Sequence, residues 1–146
     1  MSPAVAFAEP GAKTGTSETV SEQMVVAIVE DQAAIAELLH DMLEDAGYAP
    51  VIIRSPETAA WEIRAAGADI VLLDIMMPRK NGWEVLDELR ADELTRDIPV
   101  VLTSAVYDRI GRRPLPFGGP IRFASKPFDV SELIESIESF RDRQSG

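Results

Sequence analysis

The chain has 146 residues, of which 46% are hydrophobic and 27% charged, and its formal net charge is -11 at pH 7. This length suits one domain with its own hydrophobic core, and the acidic excess argues against a nucleic-acid-binding surface, which needs Lys and Arg for phosphate contacts. No stretch approaches the ~18 consecutive apolar residues of a membrane span, and the lack of cysteine excludes disulfides, thiolate catalysis and structural zinc, so we expect a cytoplasmic protein.

The first 23 residues differ from the rest of the chain because they show no sustained hydrophobic period. They are rich in Ala, Gly, Ser, Thr and Glu, a composition that predicts a disordered N-terminal extension. Regular patterning begins at Met24 and continues to about Arg141. We therefore expect one domain over residues 24–141 and a short tail over residues 142–146.

From Met24 onward, apolar runs alternate with amphipathic segments. The runs have the length and branching of strands and cover residues 24–30, 50–54, 69–74, 98–104 and 121–125. Between and after them, the pattern predicts a helix that begins after Asp31 and stops at Gly47, one capped by Ser55 that ends near Gly67, one over 82–91, and one capped by Asp129 that ends near Arg141. This alternation predicts a parallel sheet with helices on both faces.

The connection between the fourth and fifth strands breaks the alternation. Residues 107–122 contain three glycines and three prolines. An interior proline costs a helix about 3 kcal/mol and a glycine about 1 kcal/mol. We therefore predict that the helix expected here, the fourth in chain order, is shortened or replaced by a Pro/Gly-rich loop.

Charged side chains follow three of the predicted strands. Asp74 ends the buried run at 70–74, Glu30 and Asp31 follow the first strand, and Lys126 follows the fifth. Open α/β sheets bind their ligands outside the carboxyl ends of the strands. Like charges ~4 Å apart cost about 4 kcal/mol at an effective dielectric near 20. A Mg²⁺ ion, which prefers oxygen ligands, would relieve that repulsion and assist the attack of Asp74 on a phosphoryl donor.

The order and spacing of these residues resemble the receiver domain of two-component response regulators. The resemblance covers roughly residues 24–141, with 30 residues from Asp74 to Ser104 and 52 from Asp74 to Lys126. It rests on four segments: Glu30-Asp31, Asp74-x-x-Met77-Pro78-x-x-Asn81-Gly82, Ser104-Ala105 and Lys126-Pro127-Phe128. It implies a doubly wound, flavodoxin-like five-stranded parallel sheet of order 2-1-3-4-5, in a stand-alone protein of the chemotaxis-response-regulator type.

The resemblance also implies a role for each site residue. Asp74 would accept the phosphoryl group, while Lys126 and the Ser104 hydroxyl would contact its oxygens. The metal ligands would be Glu30, Asp31 and Asp74. Two further features follow from the family pattern alone: the backbone carbonyl of Met76 as a metal ligand, and a cis peptide bond between Lys126 and Pro127.

Some of these roles have alternatives. Thr103 competes with Ser104 as the switch hydroxyl, although alternation along the strand sends the two to opposite faces. Phe123 lies where the family keeps its switch aromatic residue, but it could equally be a static core ring. Glu30 and Asp31 could merely cap the helix that follows them.

The function that the resemblance implies is signalling rather than enzymatic turnover of a substrate. A sensor histidine kinase or phosphotransfer protein would phosphorylate Asp74, with self-catalysed transfer and autodephosphorylation. Only 20 residues follow Lys126, so we expect no output domain and instead a phosphorylation-controlled contact with a downstream protein, or a phosphorelay. We expect a monomer or weak dimer that binds neither nucleic acid nor membrane.

Three alternatives compete with that function. A non-phosphorylated pseudo-receiver would act as a protein-binding module. A phosphatase of the haloacid dehalogenase type would need a second Asp where this chain has Met76. A flavodoxin-like cofactor binder would need a Gly/Ser/Thr-rich phosphate loop after the first strand, which the sequence lacks.

Overall fold

A computed structural model describes residues 23–104, 120–125 and 129–145. Five strands in these ranges form one parallel sheet of order β2-β1-β3-β4-β5, as predicted. The elements are β1 (Val25–Val29), α1 (Ala33–Asp45), β2 (Ala49–Ile53), α2 (Ala59–Ala66), β3 (Ile70–Asp74), α3 (Gly82–Ala91), β4 (Val100–Ser104), β5 (Ile121–Ser125) and α4 (Val130–Ser145). None of the described helices is long and apolar enough to cross a membrane.

Helices cover both faces of the sheet and create two hydrophobic clusters. On one face, Val71 and Leu73 of β3 join a cluster that includes Ile63 of α2 and Leu86 of α3. On the other face, alternate strand residues join a cluster with α1 and α4 that includes Ile70, Leu72, Leu43 and Ile137. All five residues of β3 are buried, as expected for a parallel strand covered on both faces.

Two predicted helix boundaries are wrong. Ser55 does not cap α2: its hydroxyl donates to Glu57 Oε1 at 2.9 Å, and a 3₁₀ turn over Pro56–Thr58 delays the helix to Ala59. At the other end of the chain, α4 passes Arg141 and reaches Ser145, because no glycine or proline interrupts the segment before Gly146. The predicted Asp129 cap is confirmed, since its Oδ1 accepts from the Ser131 N–H at 2.9 Å.

Several predictions lie outside the described residues. They concern nearly all of the N-terminal extension, the peptide bond between Lys126 and Pro127, and most of the loop at 107–122. The predicted fifth strand over residues 121–125 is confirmed, since Ile121 and Arg122 pair with Val100 and Val101 of β4. The last two residues of the range 107–122 therefore belong to β5 and not to the loop.

Candidate functional site

Three carboxylates meet at the carboxyl ends of neighbouring strands. Asp74 is the last residue of β3, while Glu30 and Asp31 directly follow β1, the strand paired with β3. One oxygen from each of the three side chains lies within 4.8 Å of the other two. Glu30 and Asp74 are only 1% and 2% exposed. The convergence expected from the sequence is therefore present in the fold.

Backbone N–H groups orient two of these carboxylates. The Met76 N–H donates to Asp74 Oδ1 at 3.2 Å, and the Gln32 N–H donates to Glu30 Oε2 at 3.3 Å. The backbone of Glu30 is also tied to the sheet, since its N–H donates to the Ile53 carbonyl at 3.1 Å. The first two bonds fix the orientation of the carboxylates, and the third fixes the backbone that carries Glu30.

The loop after Asp74 closes onto the strand that it leaves. The Gly82 N–H donates to the Ile75 carbonyl at 2.9 Å, so residues 76–81 form a short excursion beyond the end of β3. A capping box then starts α3: Asn81 Oδ1 accepts from the Glu84 N–H, and Glu84 Oε1 accepts from the Asn81 N–H. The Asn-Gly pair of the sequence motif therefore holds this loop closed.

The donor set fits a hard divalent cation. The three residues offer only oxygen ligands, which suits Mg²⁺ or Ca²⁺ better than a thiolate-seeking metal. Asp31 Oδ1 is buried and accepts no hydrogen bond from any residue in the described ranges. Burying carboxylates so close together is costly unless a positive charge lies among them. The residues present therefore fit the predicted ion.

The other predicted site residues are placed less completely. Met76 lies in the loop with its side chain 59% exposed, and the role of its carbonyl stays a prediction. Thr103 is buried and in register with Asp74, while Ser104 is the last residue of β4 and pairs with Ser125. The Ser104 side chain and the whole of Lys126 lie outside the described residues, so their roles also stay predictions.

Phe123 contacts the helix that follows the Asp74 loop. Its half-buried ring lies 6.2 Å from the ring of Trp83, centroid to centroid, with a 55° angle between their planes. Trp83 is the second residue of α3. The contact is compatible with a static core ring and with a switch residue, so both interpretations remain.

Two arginines and a glutamate border the site, and sequence reasoning missed all three. Arg54 donates from Nε and Nη2 to the backbone carbonyl of Asp31, at 3.3 and 3.2 Å.

Arg79, in the loop after Asp74, forms an ion pair with Glu57. Hydrogen bonding to Arg79 lowers the pKa of Glu57 to about 2. Arg79 could have been noticed in the sequence, because it lies inside the motif, between Pro78 and Asn81.

Comparison with known proteins places this geometry among response regulators. A family model described as the response regulator receiver domain matches residues 26–138. The polar-differentiation response regulator DivK of Brucella ovis is 35% identical over 115 residues, which are 79% of this chain and 94% of DivK. The phosphate regulon transcriptional regulatory protein PhoB of Escherichia coli K12 is 33% identical over 121 residues, or 82% of this chain, which spans only 52% of PhoB.

Solved structures share the same fold. A sensor protein from Polaromonas sp. JS666 has a TM-score of 0.75 and 27% identity, covering 82% of this chain and 97% of its own. The receiver domain of a Pseudomonas aeruginosa PAO1 sensor histidine kinase has a TM-score of 0.71 and 24% identity, covering 81% and 97%. In that structure, a magnesium ion is coordinated in the active site cleft.

Proposed function

Because the chain belongs to the response regulator receiver domain family, we propose that it is a single-domain response regulator phosphorylated on Asp74. The donor is a histidine kinase or a phosphotransfer protein, and the exchange takes place in the cytoplasm. The functional unit is residues 24–141, a range that includes the family match over residues 26–138. The observation that carries the proposal is the convergence of Glu30, Asp31 and Asp74 at the ends of β1 and β3.

In the proposed reaction, a carboxylate oxygen of Asp74 attacks the phosphorus of the donor's phosphohistidine. A phosphorus–oxygen bond forms and the phosphorus–nitrogen bond breaks, with the bonding electron pair left on the imidazole nitrogen. The hydrogen bond from the Met76 N–H orients the Asp74 carboxylate for this attack. Ser104, the last residue of β4, and Lys126, the residue after β5, are the proposed contacts for the phosphoryl oxygens.

The proposed cofactor is Mg²⁺, held by Glu30, Asp31, Asp74 and the backbone carbonyl of Met76. When bound, it would neutralise the negative charge that three carboxylates and a phosphoryl group bring together. The fit of the oxygen donors supports this assignment, as does the magnesium ion in the Pseudomonas receiver domain. Apart from this self-catalysed transfer and autodephosphorylation, the protein is not an enzyme.

A partly exposed apolar flank on α1 supports docking of the phosphoryl donor protein. Ile35, Leu38 and Met42 follow one another at three- and four-residue steps, and Leu38 is 57% exposed. The helix begins two residues after Asp31, so the flank starts beside the acceptor site. A kinase or phosphotransfer helix that covers this flank would bring its phosphohistidine to Asp74.

The output of the protein is a phosphorylation-controlled contact with a downstream protein, or passage of the phosphoryl group along a relay. A phosphoryl group adds roughly two negative charges at the strand ends, which can bias a two-state element nearby. We propose Phe123 as that element, at its contact with Trp83. Its ring links the strand that precedes Lys126 with the helix that follows the Asp74 loop.

The alternative is a pseudo-receiver that binds partners without being phosphorylated. A phosphoryl mimic separates the two: a Trp61→Phe chain, in which Trp83 is the sole remaining tryptophan, is titrated with beryllofluoride. We expect a fluorescence change that requires Mg²⁺ and disappears when Asp74→Asn is added. No change in the presence of Mg²⁺ would favour the pseudo-receiver.

A further inference from the structure

Arg79 extends from the loop that lies beyond the end of β3. This loop leaves and rejoins the sheet at one place, because the Gly82 N–H bonds to the Ile75 carbonyl. The φ angle of Arg79 is 67°, in the left-handed region that few non-glycine residues adopt. Its side chain is 64% exposed. The guanidinium is thus presented to solvent by a loop of fixed path.

The guanidinium is held by Glu57, in the turn that precedes α2. Arg79 Nε donates to Glu57 Oε2, and Nη2 donates to Oε1 at 3.3 Å. The Glu57 carboxylate also accepts from the Ser55 hydroxyl at 2.9 Å. Both members are substantially exposed, so solvent screens part of their attraction. The two hydrogen bonds to Glu57 fix the position of the Arg79 guanidinium.

That position lies at the same edge of the sheet as the three carboxylates, because Glu57 follows β2 and Arg79 follows β3, the two strands that pair with β1. The pKa of Arg79 is raised by its hydrogen bond to Glu57 and by the charges of Glu57 and Asp31. Arg54 approaches Asp31 as well, through its bonds to the Asp31 carbonyl. Within the described residues, guanidinium groups therefore border a cluster of three carboxylates, in a chain of net charge -11. A phosphoryl donor, itself an anion, must overcome that negative field to reach Asp74.

We propose that Arg79 is an anion-binding arm of the Asp74 site, which exchanges Glu57 for the oxygens of an incoming phosphoryl donor. The planar fork of an arginine matches carboxylate and phosphate oxygens alike, so the donor competes with Glu57 for the same N–H groups. The ligand class is a phosphoryl anion: a phosphoramidate, an acyl phosphate or phosphohistidine. The inference rests on the proposed function and specifies how the donor is bound.

The test compares phosphorylation rates of full-length variants over a range of phosphoramidate concentrations at fixed Mg²⁺, by intact mass. Arg79→Gln should raise the half-saturating concentration about tenfold and leave the maximal rate unchanged, because a charged two-point contact is lost. Arg79→Lys should lie between wild type and Arg79→Gln. Glu57→Gln should lower the half-saturating concentration, since it weakens the competitor.

Arg64→Gln is the matched control. It removes the same charge from an exposed ion pair, in which Arg64 lies 3.3 Å from Asp92, away from the three carboxylates. If Arg79→Gln and Arg64→Gln change the half-saturating concentration equally, Arg79 does not bind the donor, and the change reflects net charge alone.

A second measurement separates the arm from the proposed function. If the wild-type chain takes up no phosphoryl group, the proposed function fails. Anion binding by Arg79 is then tested separately, by titrating Asp74→Asn chains with inorganic phosphate in the presence of Mg²⁺. The arm predicts that adding Arg79→Gln weakens phosphate binding, whereas adding Arg64→Gln does not. Equal affinities, or no binding by any of the chains, would overturn it.

Discussion

Gly82 lies against the backbone of Asp74 so closely that a Cβ atom on residue 82 would be 2.5 Å from the Asp74 carbonyl oxygen. The same Cβ would be 2.7 Å from the Cα of Ile75. Both neighbours are backbone atoms at the end of β3, so they cannot rotate away as a side chain could. The first residue of α3 is therefore sterically limited to glycine, and this contact couples the start of the helix to the acceptor.

Replacing Gly82 by alanine should damage both stability and the site. We expect Gly82→Ala to lower the free energy of unfolding by about 1–3 kcal/mol, as overpacking does, and to slow phosphorylation because Asp74 is displaced. Gly67→Ala is the control, since Gly67 has φ 65° but no atom within 4 Å of the added Cβ. It should cost about 1 kcal/mol through its backbone alone and leave phosphorylation unchanged. Equal phosphorylation rates for the two variants would contradict the coupling.

Arg90 should be a major contributor to stability although it is charged. It is 4% exposed, and its guanidinium donates to the carbonyls of Arg96, Ile98 and Pro120 at 2.8–3.0 Å. Arg90→Met would leave those carbonyls without their donor, and we expect a loss of about 3 kcal/mol in urea denaturation. Arg96→Gln, an exposed arginine, should cost under about 0.5 kcal/mol. A similar small loss for both variants would show that the carbonyls find other partners.

The Glu57 carboxyl should titrate far below its ordinary pKa of 4.5. The hydrogen bond from Arg79 lowers the pKa of Glu57 to about 2. Because the folded pKa lies below the unfolded one, the stabilising effect of the charge is complete above pH 4.5 and is lost as the pH falls towards 2. Carboxyl NMR should show this low midpoint in wild type and in Arg64→Gln, and a midpoint nearer 4.5 in Arg79→Gln. A wild-type midpoint near 4.5 would mean that the ion pair is not formed.

Removing one proposed metal ligand should weaken Mg²⁺ binding without unfolding the domain. Asp31→Asn deletes one of the three carboxylate charges, and we expect at least about tenfold weaker binding by calorimetry. Asp45→Asn makes the same change at an exposed residue of α1, outside the three-carboxylate cluster, and should leave the affinity unaltered. Equal affinities for these two variants would place the ion elsewhere.

Much of the fold and the centre of the site followed from hydrophobic patterning. Buried parallel strands have distinctive apolar runs, and the chemistry of Asp74 depends on which strands end beside it. Once β1 and β3 are neighbours, Glu30 and Asp31 must reach the same edge of the sheet. Local rules were less reliable at helix ends, where Ser55 bonds to Glu57 rather than to the backbone.

The rim of the site could not be predicted from spacing. The partners Glu57 and Arg79 are 22 residues apart, and their contact depends on how the loop after β3 lies beside the turn before α2. It also depends on a left-handed φ at Arg79, a conformation that sequence patterns associate with glycine. The same limit applies to Gly82, whose close approach to Asp74 becomes visible only in three dimensions.

The most direct test of the central claim is the intact mass of the full chain after incubation with Mg²⁺ and phosphoramidate. Asp69→Asn is the matched control, because Asp69 lies at the opposite end of β3 and accepts from the Val25 N–H at 2.8 Å. We expect wild type and Asp69→Asn to gain the mass of one phosphoryl group, and Asp74→Asn to gain none. A wild-type chain that gains no mass, or an Asp74→Asn chain that gains as much as wild type, would contradict the assignment of Asp74 as the phosphoryl acceptor.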